Sequence, residues 1–154
     1  MTQHSFGLLV YRWVDDGFEV LIGHMGGPYW THKHERAWSI PKGGAQSFED
    51  PLTAARREFE EELGFEAPSG DLIDLGAITQ RNGKVVFAWG VEGDPDLDAF
   101  EPGQFTMMWP PRSGRRQNFP EIDQVMWATP DEARILLVAV QSTFLDRLGD
   151  SLAD

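Results

Sequence analysis

Two mostly apolar stretches near the start of the chain, Ser5 to Trp13 and Phe18 to Met25, are rich in strand formers. Asp15-Asp16-Gly17 lies between them, which predicts a hairpin. Gly26 to Trp38 reads as a loop of aromatic and basic residues, and Ser39 to Gly44 as a short extended piece ending in a flexible turn. A regular period then begins. Leu52, Ala55, Phe59 and Leu63 recur at spacings of three, four and four, the apolar stripe of a helix. Asp50 suits the N-cap. Pro51 suits the first helical position, where its missing N–H costs nothing. Gly64 suits a left-handed stop.

Beyond the helix, Leu72 to Gln80 and Lys84 to Glu92 read as a second hairpin around Asn82-Gly83. Asp94 to Gly103 is an acidic loop. Phe105 to Trp109 reads as a short strand or a helical turn, and Pro110 to Glu121 as irregular. Ile122 to Ala128 is expected to be a strand. Pro130 to Val138, capped by Thr129, and Ser142 to Leu148 are expected helices. Neither repeat nor linker interrupts this order. Strands alternating with helices favour one α/β or α+β domain with a mixed sheet over residues 1–154.

Length and composition are compatible with that picture, since 154 residues suffice for one domain with its own core. No apolar run has the length of a bilayer span. The first residues do not resemble a signal peptide, because Arg12 follows the short apolar patch rather than preceding it. Cysteine is absent, which excludes thiolate metal sites and fits a reducing, cytoplasmic setting. The net charge of −12 repels nucleic acid at long range, so a general duplex binder is a poor fit. A small polyphosphate remains compatible if metal ions and a few local cations offset the field. Such cations are grouped on either side of the helix, in the segments His32 to Arg36 and Arg112 to Arg116.

The helix itself carries the chemistry. Glu58, Glu61 and Glu62 stand at i, i+3 and i+4, positions that share one side of a helix. Like charges so placed repel unless a cation sits among them, and a hard divalent ion suits oxygen ligands. At about 100° per residue the three fall beside the apolar stripe, while Glu60 points away. A Lys42-Gly43-Gly44 turn precedes the helix. Together these features point to metal-dependent phosphate chemistry.

The stretch Gly43 to Phe65 resembles the signature of the Nudix hydrolases at every fixed place: Gly43, Glu49, Arg57, Glu58, Phe59, Glu61, Glu62, Gly64 and Phe65. The resemblance implies a Nudix fold, a mixed β-sheet sandwiched between α-helices. It implies Mg²⁺ or Mn²⁺ held by Glu58, Glu61 and Glu62, and water attack at the phosphorus of a nucleoside diphosphate linked to a further group. Arg57 is expected to pair with Glu49 and fix the loop to the helix, with Gly43 and Gly44 letting the backbone approach metal and phosphates. Trp38-Ser-Ile-Pro-Lys42-Gly43 resembles stretches in Nudix enzymes acting on dinucleoside polyphosphates, which makes Lys42 a phosphate contact. The Pro120-Glu121-Ile122-Asp123 segment resembles a region of RNA pyrophosphohydrolases, which makes Glu121 the candidate for a fourth metal ligand and base, with Asp123 and Glu101 behind it.

Specificity is expected from the loops. Arg forks suit bidentate phosphate contacts, so Arg112, Arg115 and Arg116 are candidates for a distal-phosphate clamp. Tyr29 and Trp30 are candidates for stacking on a base, whereas Trp38 is expected in the core. The expected substrate is a nucleoside triphosphate or dinucleoside polyphosphate. Alternatives are a 5′-triphosphorylated RNA end and a nucleotide-binding regulatory module without turnover.

Overall fold

The computed structural model describes residues 3–153. Strands β1 (His4–Val14) and β2 (Gly17–Met25) form the expected hairpin, paired from Tyr11↔Val20 to Val14↔Gly17. Past that point the two strands part. The free half of β2 pairs with β3 (Trp38–Ser39), through Gly23↔Ser39 and His24↔Trp38. The free half of β1 pairs with β4 (Lys42–Gly43), through Phe6↔Gly43 and Gly7↔Lys42. A wedge thus opens in the sheet, and the Lys-Gly-Gly turn fills it. Gly7 permits the fit, because a Cβ there would stand 2.7 Å from the Pro41 carbonyl oxygen and 2.9 Å from the Lys42 Cβ.

The helix α1 (Pro51–Leu63) follows the turn. Its N-cap is Asp50, whose carboxylate accepts the Thr53 N–H at 3.1 Å, and it ends at Gly64 with φ of 81°. Ala54 joins Ala55, Phe59 and Leu63 in full burial, whereas Leu52 is half-buried. Strands β5 (Leu72–Thr79) and β6 (Val85–Glu92) form the second expected hairpin. β6 runs parallel to β1 from His4↔Val85 to Tyr11↔Glu92.

β7 (Gln104–Met108) pairs with β8 (Arg116–Pro120) as a two-stranded hairpin outside the main sheet. This corrects the irregular reading of residues 116–120. Arg116, Gln117 and Asn118 are polar and exposed, so no apolar alternation marks them as strand. Their order comes from pairing with β7. β9 (Ile122–Ala128) closes the outer edge of β2. Helices α2 (Pro130–Leu136) and α3 (Ser142–Leu152) end the fold. α2 stops two residues short of the expected Val138, and α3 runs on beyond the expected Leu148.

Successive strand residues face opposite sides of a sheet. Phe6, Leu8 and Val10 pack with Leu21 against Ala54, Ala55, Phe59 and Leu63 of α1. Leu9, Tyr11, Val20 and Ile22 face Leu136, Phe144, Leu145 and Leu148 of α2 and α3. The mixed sheet therefore lies between α1 on one face and α2 with α3 on the other. Burial of side chains such as Phe59 and Leu63 contributes roughly 1.5–3 kcal/mol each. No helix among the described residues is long and apolar enough to cross a membrane.

Candidate active site

α1 presents its carboxylates where the β4 turn passes over it. Gly43 lies so close to Glu58 that a Cβ would overlap the carboxyl group. The Lys42 N–H donates to Glu62 Oε1 at 3.2 Å. Arg57 fixes the loop between turn and helix. Its Nε and Nη2 donate to the two oxygens of Glu49, each at 2.9 Å, and Nη2 also reaches the Gly44 carbonyl at 2.8 Å. Nη1 donates to Glu58 and Glu61, both at 3.0 Å. All five guanidinium protons are thereby used. These contacts, the Glu49 pair first, raise the Arg57 pKa, and the same pair lowers that of Glu49.

Glu58, Glu61, Glu62 and Glu121 line one chamber of about 380 Å³ with Lys42, Lys84, Gly43 and Gly44. Burial pushes Glu62 up to about 8 against its ordinary 4.5, with Lys42 opposing the shift. Burial also raises Glu58 and lowers Lys42. Arg57 and Lys42 offset the charge of these buried carboxylates only in part. A divalent cation would supply the rest, so the all-oxygen donor set fits Mg²⁺ or Mn²⁺. Among the described residues no three acidic or histidine side chains converge tightly enough to cage an ion alone. That also suits Mg²⁺, which keeps waters and substrate oxygens in its shell beside its carboxylate ligands.

Glu121 reaches the chamber from the segment between β8 and β9. Its N–H donates to the Gly103 carbonyl at 2.8 Å, and its carbonyl accepts the Gly26 N–H at 3.0 Å. A second chamber, about 340 Å³, adjoins the first through Lys42, Glu62 and Glu121, and is walled by Trp30, Phe105, Met25 and Ile122. A third, about 300 Å³, lies between Trp30, Lys42 and the β5–β6 turn, where Gln80, Arg81, Asn82 and Lys84 line it with buried Gln141. Gln141 is satisfied, accepting the Ile40 N–H and donating to Ser39 Oγ, each at 3.0 Å. The three chambers make one cleft around Lys42, acidic on one side and apolar on the other.

Of the candidates from sequence, Lys42, Gly43, Gly44, Glu58, Glu61, Glu62, Glu121 and Trp30 come together in this cleft. Tyr29 does not line it. It is exposed and packs edge-on against Trp109 at the β7–β8 hairpin, 5.2 Å between rings. Arg112, Arg115 and Arg116 sit at or beside the tip of that hairpin, exposed, and line none of the three chambers. Trp38 is buried in the core as expected. Lys84 and Phe105 were not among the sequence candidates. Lys84 arrives through the parallel pairing of β6 with β1 and Phe105 through the β7–β8 hairpin, and only the Asn82-Gly83 turn signal stands near Lys84.

A mixed sheet between helices carries on α1 a carboxylate set that faces a half-buried lysine across a polar chamber. The chain matches the NUDIX domain over residues 4–148, and it belongs to the Nudix family. Solved structures share the fold. An Ap4A hydrolase of C. elegans in a binary complex is 21% identical with a TM-score of 0.69, over 97% of this chain and 98% of that one. The NUDIX domain of Shewanella oneidensis NrtR, complexed with ADP ribose, is 13% identical with a TM-score of 0.64, over 99% and 89%. A MutT protein from Methanosarcina mazei Go1 is 18% identical with a TM-score of 0.61, over 99% and 96%. No curated protein matches the chain.

Proposed function

We propose that this enzyme hydrolyses the diphosphate linkage of a nucleoside polyphosphate, a nucleoside triphosphate or a dinucleoside polyphosphate, releasing a mononucleotide and the remaining phosphate-bearing group. The observation that carries the reading is the meeting of a four-carboxylate chamber and an apolar chamber at Lys42. Nucleotides have the same two halves, a phosphate chain and a base. Among the fold relatives one is an Ap4A hydrolase and another binds ADP ribose, both nucleotides with a bridging phosphate chain.

Glu58, Glu61 and Glu62, with Glu121, would hold Mg²⁺ or Mn²⁺. When bound, the metal neutralises phosphate oxygens and lowers the cost of generating hydroxide. The protein's own groups do the rest. Gly43 and Gly44 bring backbone against the phosphates. Lys42 and Lys84 offset their charge, and Trp30 and Phe105 receive the base. A chamber carboxylate, Glu121 in our reading, takes the proton of the attacking water. The new P–O bond forms as the bridging P–O bond breaks, and the leaving phosphate keeps the electron pair. Arg57 and Glu49 take no part in bond changes and hold Glu58 and Glu61 in place.

The test is a nucleotide panel assayed with Mg²⁺ and with Mn²⁺ for mononucleotide, phosphate and pyrophosphate release. Mononucleotide release from a triphosphate or dinucleoside polyphosphate is expected; no turnover of any member would overturn the reading. A 5′-triphosphorylated RNA end is a second reading, favoured by the exposed arginines at the hairpin tip beyond the cleft. A short triphosphorylated oligonucleotide belongs in the panel for that reason.

A further inference from the structure

We propose that His24 is a positioning residue that couples the acidic and apolar walls of the cleft, holding the Glu121 segment through Asp123 and the Trp30 loop through Lys33. The proposal rests on the reading of the cleft as a metal–nucleotide site. His24 is buried in β2, 6% exposed, with its ring edge-on to Trp38 at 5.2 Å. Its two nitrogens reach in different directions. Nδ1 stands 2.7 Å from Asp123 Oδ1, and Nε2 stands 2.7 Å from the Lys33 carbonyl oxygen. Both distances are within hydrogen-bond reach, so one ring spans the Asp123 segment and the Lys33 loop.

On the Asp123 side, His24 opposes Gln124 in β9 while its neighbour Met25 opposes Ile122. Asp123 is therefore an extra residue, a bulge that shifts the register at the head of β9. Bulges re-aim the side chains beside them. Two residues earlier stands Glu121, whose carbonyl accepts the N–H of Gly26, two residues after His24. The His24–Asp123 contact thus pins the bulge that sets the direction of Glu121.

On the other side, the Lys33 carbonyl ends a run of turns. The Lys33 N–H donates to the Trp30 carbonyl at 3.0 Å, and the Trp30 N–H donates to that of Gly27 at 3.1 Å. The Lys33 ammonium lies over the Trp30 ring, 5.2 Å from its centre. One bond from His24 to Lys33 therefore fixes the residue that holds Trp30 by both backbone and ring. Groups that position metal ligands, when lost, commonly cost about 10–100-fold in metal affinity or activity.

Two variants separate the two arms. His24→Phe keeps the ring packed on Trp38 and removes both bonds. Asp123→Ala removes only the arm to Glu121, at a position one-third exposed. Mn²⁺ affinity without nucleotide, measured by calorimetry, is expected to fall about 10-fold in both. Hydrogen exchange of amides 27–33 is expected to accelerate in His24→Phe alone, with a rise in nucleotide KM that Asp123→Ala does not share. A folded His24→Phe with wild-type Mn²⁺ affinity and wild-type exchange would overturn the proposal. So would loop exchange that rises equally in Asp123→Ala. If His24→Phe does not fold, unchanged Mn²⁺ affinity in Asp123→Ala overturns it alone. An inactive or metal-free wild type would instead defeat the proposed function, and the exchange of segments 27–33 and 121–123 would still decide the role of His24.

Discussion

The main-chain N–H of Lys42 donates to the carboxylate of Glu62, so the phosphate-side lysine and the most buried carboxylate of α1 share one contact. Glu62 is held near 8, above the 4.5 of an unfolded chain. The folded protein then binds a proton more tightly than the unfolded chain, and stability falls as pH rises between those values. Metal-free protein is expected to lose melting temperature from about pH 5 to 8 more steeply than Glu62→Gln, with added Mg²⁺ reducing the difference. Parallel melting curves of the two proteins across that window would contradict the assignment. Glu62→Gln is also expected to lose most activity while melting higher in the absence of metal, a trade of function against stability.

Arg57 makes every bond its guanidinium allows, which Lys cannot reproduce. Arg57→Lys is expected to lower kcat about 10–100-fold with little change in nucleotide KM. Steady-state kinetics at saturating Mg²⁺ decide it, and a selective rise in KM would argue against a bracing role.

Glu61 is the most exposed of the three helix carboxylates and is braced by Arg57. Glu61→Gln should preserve the fold and cut kcat on the order of 10²–10³-fold, the scale for loss of one charge-stabilising group. Titration with Mn²⁺ should show a weakened midpoint. Full wild-type hydrolysis in this variant would remove Glu61 from the ligand set.

Lys84 and the hairpin arginines make opposite predictions. Lys84 lines two chambers of the cleft, and Arg115 and Arg116 line none. Lys84→Ala is expected to raise the KM of a nucleoside triphosphate about 10-fold, in keeping with one lost charge-assisted contact. The pair Arg115→Ala and Arg116→Ala is expected to stay within about twofold on the same substrate. If a triphosphorylated oligonucleotide alone responds to the arginine pair, the RNA reading gains.

Trp30→Ala should raise KM with kcat retained, since base stacking on an aromatic ring is worth about 1–3 kcal/mol. Comparing a nucleotide with inorganic tripolyphosphate isolates the effect. An equal change for both would show that Trp30 does not contact the base.

How far the sequence could be read depended on the range of each determinant. α1 was legible to the residue because Asp50, Pro51 and Gly64 act within one turn of the chain they bound. Its carboxylates were legible for the same reason. β3 and β4 are two residues each and exist only because β1 and β2 diverge, which no local pattern announces. The strand at Arg116–Pro120 was missed because it faces solvent and owes its order to Gln104–Met108. Arg112, Arg115 and Arg116 read as a clamp from charge density, and they line none of the three chambers, standing at or beside the tip of a hairpin the polar pattern concealed. Lys84 was read only as the first residue of a strand, although the parallel pairing of β6 with β1 delivers it to the chamber.

The wedge between β1 and β2 carries one further consequence. Phe6 and Leu8 belong to the core under α1, and Gly7 between them abuts the Lys42 turn. Three consecutive residues thus serve two masters, cohesion on one side and chemistry on the other. Loosening the core at Phe6 or Leu8 is expected to displace Lys42 before it melts the sheet. Mild destabilisation in this strand would first register as a slower enzyme, well below any unfolding temperature, which makes turnover a more sensitive gauge of that strand than calorimetry.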